Sequence, residues 1–350
     1  MAEIAFDSFE AQQLFFGKRQ VTRQIKDFLV SNLNAPKTLD SEQVLETIAI
    51  QQGILVERAR DAYSFSHLTF QEYLTAQHIV DNQQIDWLVT HHLADRQWRE
   101  VFLLVAGLVP GRKGADDLLL GMERQAQTCL NSPKLKALVQ WATAATEGSA
   151  GDYKPAAKRV GAIALALALA LPLPLARDRG RVRDHALDHA LDLALDLALD
   201  LARDHALPCA LNLARASARD LARDLDLDLP LDLALASALD LAREFQKIKI
   251  FKSVNFAELI EQLEALQSQV PDRNQPIEVR RAFVQRIQQL WFDALQLDSA
   301  VADLDKAEST ALATYFTAQL LMVRCQQSAV RVSPQVWAAI EVRMVTVIDG

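Results

Sequence analysis

Residues 62–80, AYSFSHLTFQEYLTAQHIV, change their hydrophobic period part-way along, and that change constrains the local fold more than any other feature of the chain. Tyr63, Phe65 and His67 alternate with Ala62, Ser64 and Ser66, the period of a short strand with one face against a core. Thr69-x-x-Glu72 then has the form of a capping box, in which the Thr hydroxyl takes an early helix N–H and the Glu side chain reaches back. The expected helix begins at Thr69 and buries Phe70, Tyr73, Leu74 and Val80 on one side. His67 stands just before it, where free backbone N–H groups and the positive end of the helix dipole would face an anion. A histidine at a strand end can also be a hydrogen-bonded core residue, and both roles are open at this point.

Upstream, Phe9, Leu14, Phe15, Val21, Ile25, Phe28 and Leu29 recur at helical intervals, with Gly17 as a break between two helices. Residues 34–37 form a loop, Ser41 begins a capped helix through Val44, Leu45 and Ile48, and Gly53 ends it. Residues 54–57 read as a strand, 58–61 as a turn and 63–67 as its partner. Helix, helix, β-hairpin, helix is a winged-helix arrangement. Many winged helices read DNA, but the helix after the hairpin has no Lys or Arg, and the wing carries only Arg58 and Arg60. A net charge of −8 also argues against a general nucleic-acid binder.

Beyond residue 81 the text is helical throughout. Asp95 caps a segment with Trp98, Val101, Phe102 and Val105, residues 115–130 follow, and Ser132-Pro133 starts the next helix, closed by the glycines of 148–151. Residues 162–242 consist almost wholly of Leu, Ala, Asp and Arg. Leu at alternate positions suggests strand, yet residues 184–244 contain no Val, Ile, Thr or aromatic residue. Propensity decides for helices, broken at Pro172, Pro174, Gly180, Pro208 and Pro230 and sandwiched in a stack. The apolar run 160–176 is short for a membrane span and holds two prolines. His185 and His189 have a metal-like spacing, but Ala186 occupies the zincin glutamate position, and His205 repeats the same phrase, so iteration of a low-complexity unit is favoured.

From residue 245 composition returns to normal. Lys247, Lys249 and Lys252 interleave with Ile248, Ile250 and Phe251 as a linker or short strand; Asn255-x-x-Glu258 caps a helix through Leu259, Leu263 and Leu266. Residues 277–295 present Val279, Phe283, Ile287, Leu290 and Trp291 to a core. Residues 307–326 do so with Leu312, Tyr315, Phe316 and Leu320, and Ser333-Pro334 starts a last helix.

The pattern F-x-H-x-x-x-Q-E-[YF], here Phe65, His67, Gln71, Glu72 and Tyr73, resembles the end of the winged-helix domain in NACHT-module NTPases of the STAND, NLR-like class. The resemblance covers residues 15–142, is closest to cyanobacterial-type proteins, and residues 253–347 resemble their C-terminal helical domain. It implies that His67 contacts the phosphate of a bound ADP. No G-x-x-x-x-G-K-[ST] loop occurs, and the glycines of 109–115 lack its spacing. No nucleophile elbow, catalytic Cys context or isolated carboxylate pair is present either, so no catalytic residue, metal site or ATP hydrolysis is expected.

The fold expected is mainly α. A winged-helix domain occupies 1–94, a helical repeat region 95–160, Leu/Ala/Asp/Arg repeats 161–246 and a C-terminal helical domain 247–350. The function expected is a non-enzymatic regulatory, sensor and protein-interaction module in signalling, with antiphage defence as its setting. Its partners would be proteins, among them a NACHT NTPase chain, and ADP or ATP would be held only with that chain's nucleotide-binding domain. Neither nucleic acid nor membrane is expected as a partner. Cys129, Cys209 and Cys325 are widely spaced and the N-terminus lacks a signal peptide, both of which suggest the cytoplasm. The alternatives are a truncated fragment of a NACHT NTPase without an independent role, and a winged-helix DNA-binding regulator.

Overall fold

The computed structural model describes residues 1–33, 40–50, 52–170, 185–202, 206–226 and 231–348, except the side chains of 32, 33, 50 and 217–226. It comprises two compact units, residues 1–121 with 324–333 and residues 122–323 with 334–350.

The first unit opens with α1 (Ala2–Glu10), strand β1 (Phe16–Gly17), α2 (Lys18–Leu33), α3 (Ser41–Ile50), β2 (Leu55–Ala59), β3 (Ala62–Phe65) and α4 (Leu68–Asp81). The expected hairpin forms, and a third strand joins it. Phe16 and Gly17 pair antiparallel with Tyr63 and Ala62, giving the order β1-β3-β2, so Gly17 lies in a strand as well as at a helix break. As the central strand, β3 is covered on both faces, and Ser64 is buried along with Tyr63 and Phe65. The Arg58 Nε donates to Ser64 Oγ at 3.0 Å across the hairpin. Gly53 adopts φ +63° where α3 gives way to the hairpin, as a glycine ending should. The cap of α3 is Asp40 and not Ser41, its Oδ1 accepting from the N–H groups of Glu42 at 2.9 Å and Gln43 at 3.3 Å. Ile4, Phe16, Val21, Ile25, Leu45 and Phe65 form the centre of the core. The loop expected at 34–37 lies outside the described residues.

Next come α5 (Ile85–His92), a 3₁₀ turn (Arg96–Trp98) and α6 (Arg99–Leu108). Asp95 caps the turn as its position suggested, Oδ1 accepting from Gln97 N–H at 3.0 Å. An aromatic and imidazole cluster packs these elements on α1, with Phe6 stacked on His78 at 4.5 Å and His92 on Trp98 at 4.0 Å.

The second unit is helical and takes in the later residues of α7 (Asp116–Gln127). Helix α8 (Pro133–Thr146) starts on the Ser132 hydroxyl, which accepts from Leu135 N–H at 3.1 Å. Helix α9 (Pro155–Ala170) is buried on every side from Val160 to Ala170. The described part of the apolar run that raised the question of a membrane span, residues 160–170, is therefore in a central core helix, packed by α8 and the helices His185–Leu201 and Ala206–Asp226. No helix among the described residues is long and apolar enough to cross a membrane.

The Leu/Ala/Asp/Arg text is helical wherever it is described, following propensity over alternation. In His185–Leu201 the buried residues Leu187, Ala190, Leu191, Ala194, Leu197, Ala198 and Leu201 keep the i, i+3, i+4 spacing. Pro208 stands in the first turn of Ala206–Asp226, where a missing N–H costs no helical hydrogen bond. Breaks expected at Pro172, Pro174, Gly180 and Pro230 lie outside the described residues. Arg215 pairs with Asp192 of the neighbouring helix, so here an Asp of the repeat meets an Arg across a helix–helix contact.

The lysine-interleaved text begins in the last turn of Asp232–Ile248 and continues as the turn after it: Lys249 adopts φ +53°, its carbonyl accepts from Gly151 N–H at 2.9 Å, and Ile250 and Phe251 are buried. Asn255 caps the next helix, its Oδ1 accepting from Glu258 N–H at 3.3 Å, and its Nδ2 donates to Glu258 Oε2 at 3.1 Å, a side-chain pair in place of a box's return bond from the cap's backbone N–H. On Ile277–Leu295, Phe283, Ile287 and Trp291 are buried as expected, but Val279 is exposed and Leu290 half-buried. That helix turns its Arg280 and Gln288 inward instead, and Gln288 Nε2 satisfies the carbonyl of Leu169 at 2.6 Å, in the last turn of α9. Leu312, Tyr315, Phe316 and Leu320 are buried on Lys306–Ser328, and Pro334–Arg343 is the last helix.

Candidate functional site

The site is the junction of β3 and α4. Helix α4 has its N-cap two residues before the one the Thr69 box requires: His67 is the N-cap, extended at φ −136° and ψ 145°, with no side-chain cap. Thr69 is exposed, and Glu72 turns inward where it cannot return to the Thr69 amide. The box pattern is therefore present without the box.

The buried face of α4 is also different from the one its aromatics suggest. Gln71 and Glu72 are 3% and 8% exposed, with Thr75, Ala76 and Ile79 completing the inward stripe. Phe70 and Tyr73 are each 42% exposed, and Leu74 and Val80 are half-buried. Small side chains on the inner face let α1 and α6 pack close against it, and Gln71 is satisfied there by donating from Nε2 to Ser8 Oγ at 2.9 Å. Burial, and then the nearby charge of Glu100, raise the pKa of the Glu72 carboxyl.

The His67 side chain is exposed and makes no hydrogen bond with the described residues; its ring lies 5.9 Å from that of Phe70. This is not a core histidine. Phe70 N–H bonds to the His67 carbonyl at 3.1 Å, while the Leu68 and Thr69 N–H groups at the start of the helix have no partner among the described residues. One positive group stands close by: Arg58 Nη2 donates to the carbonyl of Ser66 at 3.2 Å. An imidazole, two N–H groups and a helix dipole can together meet a phosphate, and the Arg58 guanidinium, held by Ser64 and Ser66, adds its charge nearby. They would meet only that end of a nucleotide, so the rest would have to be held by another domain.

Exposed apolar side chains follow His67 on α4 and precede β1. Leu68 is 53% exposed, and Leu14 and Phe15, at 61% and 59%, precede Phe16 in the strand that runs antiparallel to β3, alongside the end that leads to His67. Sequence periodicity buries Phe70 and Tyr73 and puts Leu14 and Phe15 on a helix, whereas α1 ends at Glu10 and residues 11–15 are not helical. Gln71 and Glu72 between Phe70 and Tyr73 fit an ordinary amphipathic helix with its aromatics inside, so the period alone gives no sign of the inversion.

Among the described residues, which include His185 and His189, no group of three or more His, Cys, Asp or Glu could hold a metal ion. Asp184 and His205 lie outside those residues. Residues 10–79 match the family model for the winged helix-turn-helix domain C-terminal to NACHT, and residues 259–347 match that for NACHT C-terminal helical domain 2. No curated protein and no solved structure matches the chain.

Proposed function

We propose that the chain, which carries the winged helix and the C-terminal helical domain of a NACHT-type protein, is a non-enzymatic regulatory and sensor module that closes over a nucleotide-binding domain lying outside residues 1–350. The observation that carries this is the inverted amphipathicity of α4. Its polar residues Gln71 and Glu72 are inside, while Phe70 and Tyr73 face outward next to an exposed His67. An apolar face that the unit leaves open is a docking face, and exposed aromatics of this kind are the usual anchors of protein interfaces. In the docked state His67 and the Leu68 and Thr69 N–H groups would donate to a phosphate of ADP held by the other domain. Arg58 is turned back onto Ser64 and Ser66, which weakens the case for reading DNA with the wing. Protein partners, a signalling role and a setting in defence belong to this same proposal.

Calorimetry tests it. ADP is titrated into a NACHT nucleotide-binding domain mixed with the wild-type chain, with His67→Ala and with Phe70→Ser/Tyr73→Ser. The charged hydrogen bond of His67 should be worth about 1.5–3 kcal/mol, roughly ten- to a hundredfold in ADP affinity. The double variant should abolish docking. Equal ADP affinity for all three chains, or turnover of ATP by the chain alone, overturns the proposal.

A further inference from the structure

We propose that the groove between α1, α2 and α3 is a second docking site, which takes a basic amphipathic helix from a protein partner. The groove has a volume of about 370 Å³, and none of the residues grouped around His67 lines it. Its floor is aliphatic: Ile4, Ile25, Leu29, Val44 and Ile48 line it, at the margin of the core. Its rim is acidic, with Glu3, Asp7 and Asp27 all exposed; Met1, which carries the amino group, lines it as the one cationic counterweight among the described residues, and no Lys, Arg or His there does. Gln24 lines it as well. Its Nε2 donates to Asp7 Oδ2 at 3.3 Å, while its Oε1 is buried without a donor among the described residues.

These features select an occupant by chemistry. An apolar floor of this size accepts two or three aliphatic side chains, which a helix supplies at i, i+3 and i+4. Three carboxylates around it favour Lys or Arg on the flanks of that helix, and an acidic or neutral helix would leave them facing like charge or nothing. A Lys or Arg N–H would also supply the donor that Gln24 Oε1 lacks. The inference is independent of the role given to His67, because it rests on a different face of the same unit.

The test uses the full chain and two synthetic peptides of identical Leu spacing, one with Lys at every other position and one with Glu. The Lys peptide should bind in the micromolar range, more weakly as salt rises, and at least about tenfold more tightly than the Glu peptide. Methyl shifts on binding should fall on Ile4, Ile25, Val44 and Ile48. Glu3→Lys/Asp7→Lys/Asp27→Lys should reverse the preference between the peptides, and these exposed changes should leave the far-ultraviolet spectrum unchanged. If the triple variant fails to fold, Asp27→Lys alone should reduce the preference. Equal binding of both peptides, a preference unmoved by Asp27→Lys, or shifts confined to α4 would overturn the proposal.

Discussion

Gln71 donates to the Ser8 hydroxyl at 2.9 Å, and Ser8 in turn donates to the carbonyl of Ile4 at 2.7 Å, so a chain of two buried hydrogen bonds ties α4 to α1. Ser8→Ala leaves the Gln71 amide buried without its acceptor and should cost about 1–3 kcal/mol. Gln71→Leu removes the donor with little loss of volume and should cost less. The double variant should cost less than the two changes added together, because they break the same bond. Urea denaturation of the three variants measures this.

Gly114 and Gly111 separate backbone strain from steric clash. Gly114 has φ +56° and its missing Cβ would strike the backbone carbonyl of Arg331, whose oxygen accepts from Ala115 N–H at 3.0 Å. Gly111 has φ +94° but open space around it. Gly111→Ala should cost about 1 kcal/mol, and Gly114→Ala several times more, since strain and overpacking combine. Thermal melts of the two variants give the comparison directly.

The first unit should lose stability on mild acidification. Burial lowers the pKa of His78 and of His92, against the opposing pull of Glu3, Asp7 and Asp81 on the first and Asp95 on the second. Both contribute stability that is complete above their ordinary pKa of 6.5 and is lost as pH falls through the lowered value. His78→Phe, which keeps a ring on Phe6, should flatten that part of the Tm–pH profile. Glu72 works the other way: its raised pKa gives stability below 4.5 that is lost as pH rises through the folded value. Glu72→Gln should therefore raise Tm at neutral pH.

Arg343 makes a two-pronged pair with Glu123, Nε to Oε1 at 2.9 Å and Nη2 to Oε2 at 2.8 Å, and the carboxylate is buried. Arg343→Ala strands that carboxylate and should cost about 1–3 kcal/mol. Arg343→Lys should recover only part of the loss, because an ammonium cannot fill both prongs. Chemical denaturation at neutral pH checks both.

Most of the architecture was legible because it rests on short-range rules. Glycine endings at Gly53 and Gly148, the serine cap at Ser132 and the asparagine cap at Asn255 all formed where the residues indicated. The Leu-rich text gave a conflict between alternation and propensity, and the absence of β-branched residues resolved it correctly. What the sequence could not show depended on partners distant along the chain. Thr69 and Glu72 match a capping pattern as well as Asn255 and Glu258 do, yet Glu72 faces inward and Gln71 bonds to Ser8, sixty-three positions away. The strand Phe16–Gly17 is two residues long, too short to have a period, and is a strand only because β3 lies beside it. Val279 and Arg280 exchange their expected places for a similar reason, since helical spacing gives the width of a stripe but not which neighbour will set its centre.

Helix α9 has no side of its own facing water from Val160 to Ala170, and each of its walls is supplied by a different segment, some more than a hundred residues further along. Released from them, an Ala/Leu rod of this kind would be a sticky thread seeking any other greasy surface. Deleting one flanking helix would thus be expected to drive the chain to aggregate, and a shortened version of this unit would have to keep every wall or replace the rod itself.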